Sequence, residues 1–246
     1  MHAEDGRQKL VSMVRDFCVR EVKPHAFEWD REERFPHETV AQLGELGLLG
    51  MAVPEDFGGA ELDTVSIAMV IEEIARWDGS LALTVASHNG LGTSHILRFG
   101  SDELRRRFVP DIAAGKKLAA WGLTEPGSGS DAAGMRTTAL RKASGWVLNG
   151  SKMFITQGSV GDVFVVLAVT SADKRQKGIT AFVLERGMKG FSQRPLHGKL
   201  GMRSSDTAEL ILEDVFVPDE NRIGEVGQGF VDTLRILDKG RITIGA

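Results

Sequence analysis

Ile112-Ala113-Ala114-Gly115-Lys116-Lys117-Leu118-Ala119-Ala120-Trp121 is the stretch where the chain changes its hydrophobic period. Up to about Ala114, apolar residues recur at the three- and four-residue spacing of helices with one buried face. From Leu118 onward the spacing moves toward two and β-branched residues become frequent, the pattern of strands. Before the switch, Ser101-Asp102-Glu103-Leu104 is an N-cap signal, and Leu81 to Phe99 reads as one helix. Val65 to Trp77 carries Ile67, Val70, Ile71 and Ile74 on one face, with Glu72, Glu73 and Arg76 outside. Val40, Leu43, Leu46 and Leu48 make another helical face, and Leu10, Val11, Val14, Phe17 and Cys18 the first. After the switch, Gly145 to Gly150 predicts a strand leading into a turn, and Val163 to Val169 and Ile179 to Leu184 predict continuous apolar strands. Thr180 interrupts the second of these, and Ala208 to Phe216 alternates with acids. After Gly229 the helical period returns, with Phe230, Leu234, Leu237 and Ile242 as its apolar face.

The pattern predicts an α+β, multidomain chain: an α-helical bundle over 1–117, an antiparallel β-barrel or sandwich over 118–227, and the start of a second helical domain over 228–246. Glycines punctuate the middle part at intervals that suit antiparallel sheet, not βαβ crossovers.

The 246 residues are 42% hydrophobic and 26% charged, the balance of an ordinary globular protein. A net charge of −4 gives no electrostatic reason to expect nucleic acid or an anionic membrane as partner. The one basic run, Arg105-Arg106-Arg107, reads as a solvated helix face. A single cysteine, Cys18, excludes an intrachain disulfide, suits a reducing compartment and reads as a small core residue. The six histidines, His2, His25, His37, His88, His95 and His197, show no ligand spacing, so no metal is expected. Met1 to Leu10 lacks the order of a signal peptide, and no apolar run approaches membrane-spanning length. The expectation is a cytoplasmic protein.

Leu123-Thr124-Glu125-Pro126-Gly127-Ser128-Gly129-Ser130-Asp131 is the segment richest in chemistry. Two glycines, a proline and several hydroxyls make a loop that exposes backbone N–H groups to an anionic or carbonyl-rich ligand. It is neither a phosphate-binding Walker loop nor a dinucleotide fingerprint. Alone, it would equally describe an ordinary surface turn.

It is accompanied by others. The loop resembles the signature of the acyl-CoA dehydrogenase family, and Leu148-Asn149-Gly150-Ser151-Lys152-Met153-Phe154-Ile155-Thr156 resembles that family's second flavin motif. Lys199-Leu200-Gly201-Met202-Arg203-Ser204-Ser205-Asp206-Thr207 and Phe216-Val217-Pro218 continue the pattern in order. Upstream, Phe35-Pro36, Gly47-Leu48-Leu49-Gly50 and Val53-Pro54-Glu55-Asp56-Phe57-Gly58-Gly59 are similar to its N-terminal helical domain. Several separated motifs in one order are far more specific than any single one.

The resemblance implies a flavoprotein oxidoreductase of fatty acid β-oxidation that binds FAD and an acyl-CoA, assembles as a tetramer or dimer and passes electrons to electron-transferring flavoprotein. It implies that Trp121, Gly122, Leu123, Thr124, Glu125, Pro126, Gly127, Ser128, Gly129 and Ser130 run along FAD through backbone groups. The Thr124 hydroxyl would lie near the pyrimidine edge, and Ser130 would also reach the coenzyme A arm. Phe154, where the family more often has tryptophan, would wall the isoalloxazine with Ile155 and Thr156, the last near flavin N5. Asp238, Lys239, Gly240 and Arg241 match the segment opening the third domain, which contacts substrate, and Gln176 matches a substrate-contacting loop loosely. Some members, the isovaleryl and long-chain types, place their catalytic glutamate at the position of Gly240. Glycine cannot abstract a proton, so the resemblance implies a base from a C-terminal region absent here and a chain inactive as it stands. The Asp238-to-Arg241 form resembles butyryl-type enzymes, whereas Gly187-Met188-Lys189-Gly190-Phe191-Ser192 resembles the isovaleryl type, so substrate length stays open. An acyl-CoA oxidase, a flavin monooxygenase or nitroalkane oxidase of the same fold, and a non-catalytic binding or DNA-protecting relative are the competing readings. A DNA binder would want a basic face, and the strand around Glu209, Glu213 and Asp214 is acidic.

Overall fold

The computed structural model describes residues 3–246; Met1 and His2, and so the first of the six histidines, lie outside the described residues. Helices fill the first part: α1 (Ala3–Phe17), α2 (Ala26–Glu32), α3 (His37–Glu45), α4 (Thr64–Ala75), α5 (Gly79–Ser87), α6 (Ser94–Phe99) and α7 (Asp102–Ala113). Strands follow: β1 (Ala119–Gly122), β2 (Thr138–Lys142), β3 (Gly145–Thr156), β4 (Val163–Val169), β5 (Ile179–Glu185), β6 (Phe191–Pro195), β7 (Thr207–Pro218) and β8 (Arg222–Ile223), before α8 (Gly229–Gly245). The change of element falls where the period changes. Among the described residues, no helix is long and apolar enough to cross a membrane.

Local chemistry sets the helix starts. Asp63 accepts from the N–H groups of Val65 and Ser66 at the head of α4, and Ser101 accepts from Leu104 at the head of α7. The stretch read as a single helix from Leu81 to Phe99 is interrupted by a π-helical turn, His88–Thr93. The Thr93 hydroxyl donates to the His88 carbonyl (2.5 Å) and the Ser94 hydroxyl to that of Asn89 (2.7 Å), compensating carbonyls that the widened turn displaces. Glu73, expected outside α4, is buried instead. Arg15 of α1 grips it with two bonds (3.0 and 2.8 Å) and the Trp77 indole with a third, so the acid clamps two helices. Cys18 is a core residue whose thiol burial pushes up to about 12.

The strands form one sheet in the order β6-β7-β3-β2-β4-β5-β8, antiparallel except where β4 meets β2 and β1 in parallel. β1 reaches β4 only after the β2–β3 hairpin, a crossover long enough for parallel pairing. Both faces of β4 and β5 are covered, which is why they read as unbroken apolar runs. Val163, Val165 and Leu167 pack with Ile96, Phe108 and Ile112 of the helices; Phe164, Val166 and Ala168 pack with Leu210, Leu212 and Val215 of β7. Thr180, buried in β5, is satisfied by the Thr170 hydroxyl (2.8 Å) and the Gly227 N–H (2.9 Å). Arg107 is more than a solvated face, since it binds Asn221 (3.0 Å) and Glu185 and so ties α7 to the sheet.

α8 departs from the apolar face expected of it. Phe230 and Leu237 do pack against the helix–sheet core, but Leu234 and Ile242 are exposed, and the buried seam is Asp232, Thr233, Ile236 and Gly240. Close approach explains this. A Cβ on Gly240 would meet Leu91 of the π-turn at 3.3 Å, and one on Gly229 would meet the Thr180 backbone at 2.8 Å. Small residues let the helix axis sit where large ones would hold it away.

Candidate functional site

β1 leads out of the sheet into the glycine-rich loop, and β3 runs beside that exit. Met153 N–H donates to the Thr124 carbonyl (2.8 Å), joining the loop to the strand. The loop turns on a reciprocal pair of backbone bonds between Glu125 and Ser128 (2.9 and 3.1 Å), and the Ser128 hydroxyl donates to the Asp131 carbonyl (2.6 Å). β3 then loses register against β7 between Lys152 and Ile155. This bulge puts Phe154 at φ +61° and leaves its ring 68% exposed, so Phe154 is not a core residue. Bulges recur where a strand must re-aim a side chain, and a bulky residue at positive φ is uncommon enough to need a reason.

The Thr124 carbonyl is bonded to Met153, the residue before Phe154, and Thr156 stands two residues beyond Phe154 on the same strand. Among the described residues, neither hydroxyl finds a hydrogen-bond partner, nor does that of Ser130, and Gly127, Gly129 and Ser130 donate no backbone bond. A Cβ at Gly127 or Gly129 would meet nothing within 4 Å. The result is an open face with an aromatic ring, uncommitted hydroxyls and free amides.

Not every residue of the motifs faces it. Trp121 is buried, its indole donating to His95 Nδ1 (3.0 Å), and Leu123 packs in the same helix–sheet core. A Cβ on Gly122 would meet the Lys152 side chain at 3.2 Å. Ile155 belongs to the sheet interior, so its side chain is no part of the open wall and only its backbone lies there. The Glu125 carboxylate turns inward. It binds Lys152 Nζ (2.8 Å) and accepts the N–H groups of Arg136 (2.6 Å) and Thr137 (2.9 Å). Lys152 is 0% exposed; burial pulls its ammonium down to about 8, with the Glu125 charge opposing. Burial also works against the Glu125 carboxylate, but Lys152 and the two amides hold it below the ordinary range. Sequence reasoning missed this pair. The available signal was a lysine sharing the parity of the inward-facing Trp146 and Leu148.

The segment from Asp238 to Arg241 lies on α8, at the other end of the helix from Gln176. Lys177 crowds Gly227 just before α8, and the helical rise from there to Gly240 is about 18 Å. The exposed Gln176 is therefore not brought together with the other four. Asp238 and Arg241 are exposed and paired (2.6 Å), and Gly240 is buried against the π-turn. Lys239 and Thr243 border a narrow crevice of about 30 Å³, closed on its other sides by Ala52, Ile67, Asn89 and Gly90. Asn89 is locked there, accepting from Met51 N–H (2.9 Å) and donating to the carbonyls of Leu48 and Val85 (both 3.0 Å). No group of acids, histidines or cysteines among the described residues could hold a metal ion.

The acyl-CoA dehydrogenase N-terminal domain matches residues 4–116, and the middle domain of the same enzymes matches residues 120–215. The chain belongs to the acyl-CoA dehydrogenase family. A short-chain specific acyl-CoA dehydrogenase of Clostridium acetobutylicum is 43% identical over 240 residues, covering 97% of this chain and 63% of that protein. The structure of butyryl-CoA dehydrogenase from Megasphaera elsdenii superposes with a TM-score of 0.95 at 36% identity, over 99% of this chain and 65% of that one. An acyl-CoA dehydrogenase from Bacillus anthracis, solved in complex with FAD, gives 0.90 at 39% identity, over 100% of this chain and 43% of that one. This chain of the acyl-CoA dehydrogenase family thus spans about 63% of the length of the curated relatives it matches.

Proposed function

We propose that the protein containing these 246 residues is an FAD-dependent acyl-CoA dehydrogenase, which desaturates an acyl-CoA thioester between its α and β carbons and hands the electrons to electron-transferring flavoprotein. The observation that carries this reading is the open face around Phe154. A ring raised on a bulge supplies an apolar platform, and the hydroxyls of Thr124, on the loop bonded to Met153, and of Thr156, two residues beyond Phe154, have no partner among the described residues. That donor set fits the edge of a flavin, which carries both donors and acceptors along one side of a planar ring. Bound there, FAD supplies the two-electron acceptor that thioester dehydrogenation requires. Thr156 is the proposed donor at the N5 edge, Thr124 the partner of the pyrimidine edge, and the amides of Gly127, Gly129 and Ser130 hold the ligand's polar parts, Ser130 serving the coenzyme A arm.

The substrate is assigned to the side of Asp238, Lys239, Gly240 and Arg241, whose α8 borders the crevice beside Asn89 and Gly90. Gly240 has no group with which to take the α-proton. The base is accordingly assigned to the part of the family's length that these residues do not span. We further propose division of the chain at 117/118 and 227/228, a cytoplasmic location and a homo-oligomeric full-length protein.

The test is anaerobic titration of the full-length protein, loaded with FAD, with butyryl-CoA, isovaleryl-CoA and a long-chain acyl-CoA. Bleaching of the flavin by at least one of them, with reoxidation faster by electron-transferring flavoprotein than by oxygen, is the expected result. No bleaching by any of the three would remove the dehydrogenase reading, and rapid reoxidation by oxygen would make it an oxidase. Thr156→Val is expected to slow flavin reduction about tenfold, the scale of one hydrogen bond made in the transition state. An unchanged rate and unchanged flavin potential would take Thr156 out of the N5 role.

A further inference from the structure

We propose that the buried Lys152–Glu125 pair is the positioning device of the flavin site, fixing the glycine-rich loop against the strand that bears Phe154 and Thr156. The inference rests on the flavin reading above, and the control below separates the two.

A single ammonium holds the loop on both sides of Thr124. Lys152 Nζ donates to the Leu123 carbonyl (3.2 Å), on the residue before Thr124, and to Glu125 Oε1 (2.8 Å), on the residue after it. Glu125 carries the restraint onward, because Oε1 also accepts Thr137 N–H and Oε2 accepts Arg136 N–H, where the returning limb enters β2. Thr124 is thus bracketed by two residues that Lys152 holds, and its own carbonyl is taken by Met153 N–H. Lys152 stands on β3 two residues before Phe154 and four before Thr156. One side chain therefore belongs to the strand that carries one half of the site and grips the loop that carries the other.

Stability is a poor explanation for such an arrangement. An ammonium and a carboxylate removed from water repay their desolvation only when the geometry is good, and apolar or neutral replacements of like size often fold as well. What neutral replacements do not reproduce is direction. The ammonium has three donors at fixed angles, and the carboxylate accepts an ammonium and two amides at once. No other charged side chain bonds to either member among the described residues. Among the described residues Glu125 is the sole charged partner of Lys152, whose other contacts are the Leu123 carbonyl and the Met135 thioether at 3.9 Å. Both members are buried beneath the loop and act through Thr124 and the loop amides, so both are positioning residues.

The experiment compares full-length wild type, Lys152→Met/Glu125→Gln and Glu125→Asp. The double variant replaces the ion pair by neutral groups of similar size and leaves no lone buried charge. FAD dissociation constants, the visible circular dichroism of the bound flavin, its reduction potential and the urea midpoint of the apoprotein are measured for each. The double variant is expected to keep its urea midpoint while FAD binding weakens by about tenfold or more, the effect of losing roughly one well-aimed hydrogen bond. Its flavin dichroism and potential should both move. Wild-type affinity, dichroism and potential in a folded double variant would overturn the proposal. Should the double variant fail to fold, Glu125→Asp decides: it keeps the charge but, one carbon shorter, cannot reach Lys152 and both amides together. Weaker FAD binding with a shifted flavin dichroism supports the proposal, and unchanged values overturn it. A wild type that binds no FAD would instead remove the flavin reading itself.

Discussion

Between about pH 7.5 and about pH 5 the chain is expected to lose about 4 kcal/mol of folding stability through two buried histidines. His88 and His95 are both fully buried, and burial drives His88 down to about 4 and His95 to about 3 from the ordinary 6.5. Burial is the cause at both rings, and at His88 the carbonyls of Ile112 and Leu49 oppose it. His88 Nδ1 accepts the Ala119 N–H (3.2 Å), so its proton sits on Nε2, facing the Ile112 carbonyl (3.1 Å). His95 Nδ1 accepts the Trp121 indole N–H (3.0 Å) in the same way. A second proton on either ring would point at a donor on β1. Because both folded values lie below the unfolded one, the stabilisation is complete above about pH 6.5 and is lost as pH falls toward the folded values. Each ring forfeits about 2 kcal/mol by about pH 5. The buried carboxylates Asp78 and Asp232, raised by burial, act with the opposite sign but start from 3.8. Urea midpoints at about pH 7.5 and about pH 5 provide the test, with His95→Gln, which keeps an acceptor for Trp121 but does not titrate, expected to remove about half of the difference. Equal midpoints for the wild type at the two pH values would show that the rings titrate without opposing the fold. Since both histidines bind β1, acid should first loosen the joint between the helices and the strand that feeds the cofactor loop.

That joint also marks the limit of what the sequence discloses. Hydrophobic period locates the change from helix to strand because period follows directly from which faces are buried, and Leu118 begins the new pattern one residue before β1. It does not reveal the π-turn at His88–Thr93, since one extra residue in a helical run barely disturbs the spacing of its apolar positions. Nor does it orient α8, where small residues rather than large ones mark the buried side, and Thr233 and Gly240 look like a solvent face. Within the site, the motifs single out Thr124, Phe154 and Thr156, none of which the fold buries. They do not separate them from Ile155 and Trp121, whose side chains turn the other way. A motif records which residues stand together, whereas the bulge that turns Phe154 outward and Ile155 inward arises from pairing with β7, distant in sequence. Lys152 and Glu125 escape for the same reason: a charge on a strand reads as exposed until the opposite charge, on a separate loop, is placed beside it.

Gly150→Ala is expected to cost about 3 kcal/mol, combining a strained backbone with an overpacked contact. Gly150 sits where β3 first slips register against β7, at φ +144°, a conformation that residues with a side chain rarely adopt. There is no room for a methyl group. A Cβ there would lie 2.6 Å from the Thr137 hydroxyl, 2.8 Å from its Cα and 2.9 Å from its Cβ. Thr137 cannot step aside freely, because its N–H is held by Glu125 (2.9 Å) and its hydroxyl donates to the Ser151 carbonyl (3.4 Å). The pressure passes through Thr137 to the Glu125 carboxylate, and from there to Lys152 and the loop. Two effects should therefore appear together: a lower urea midpoint and weaker FAD binding in the full-length protein. Gly201→Ala is the control, since a Cβ there meets nothing within 4 Å and no unusual φ is imposed. If Gly150→Ala matched this control in midpoint, the bulge would have enough slack to take a side chain, and the close packing of β3 on Thr137 could not be what holds the loop in register. If the midpoint fell but FAD affinity did not, the strain would stop at Thr137 and the path from β3 to Glu125 would be broken at that residue.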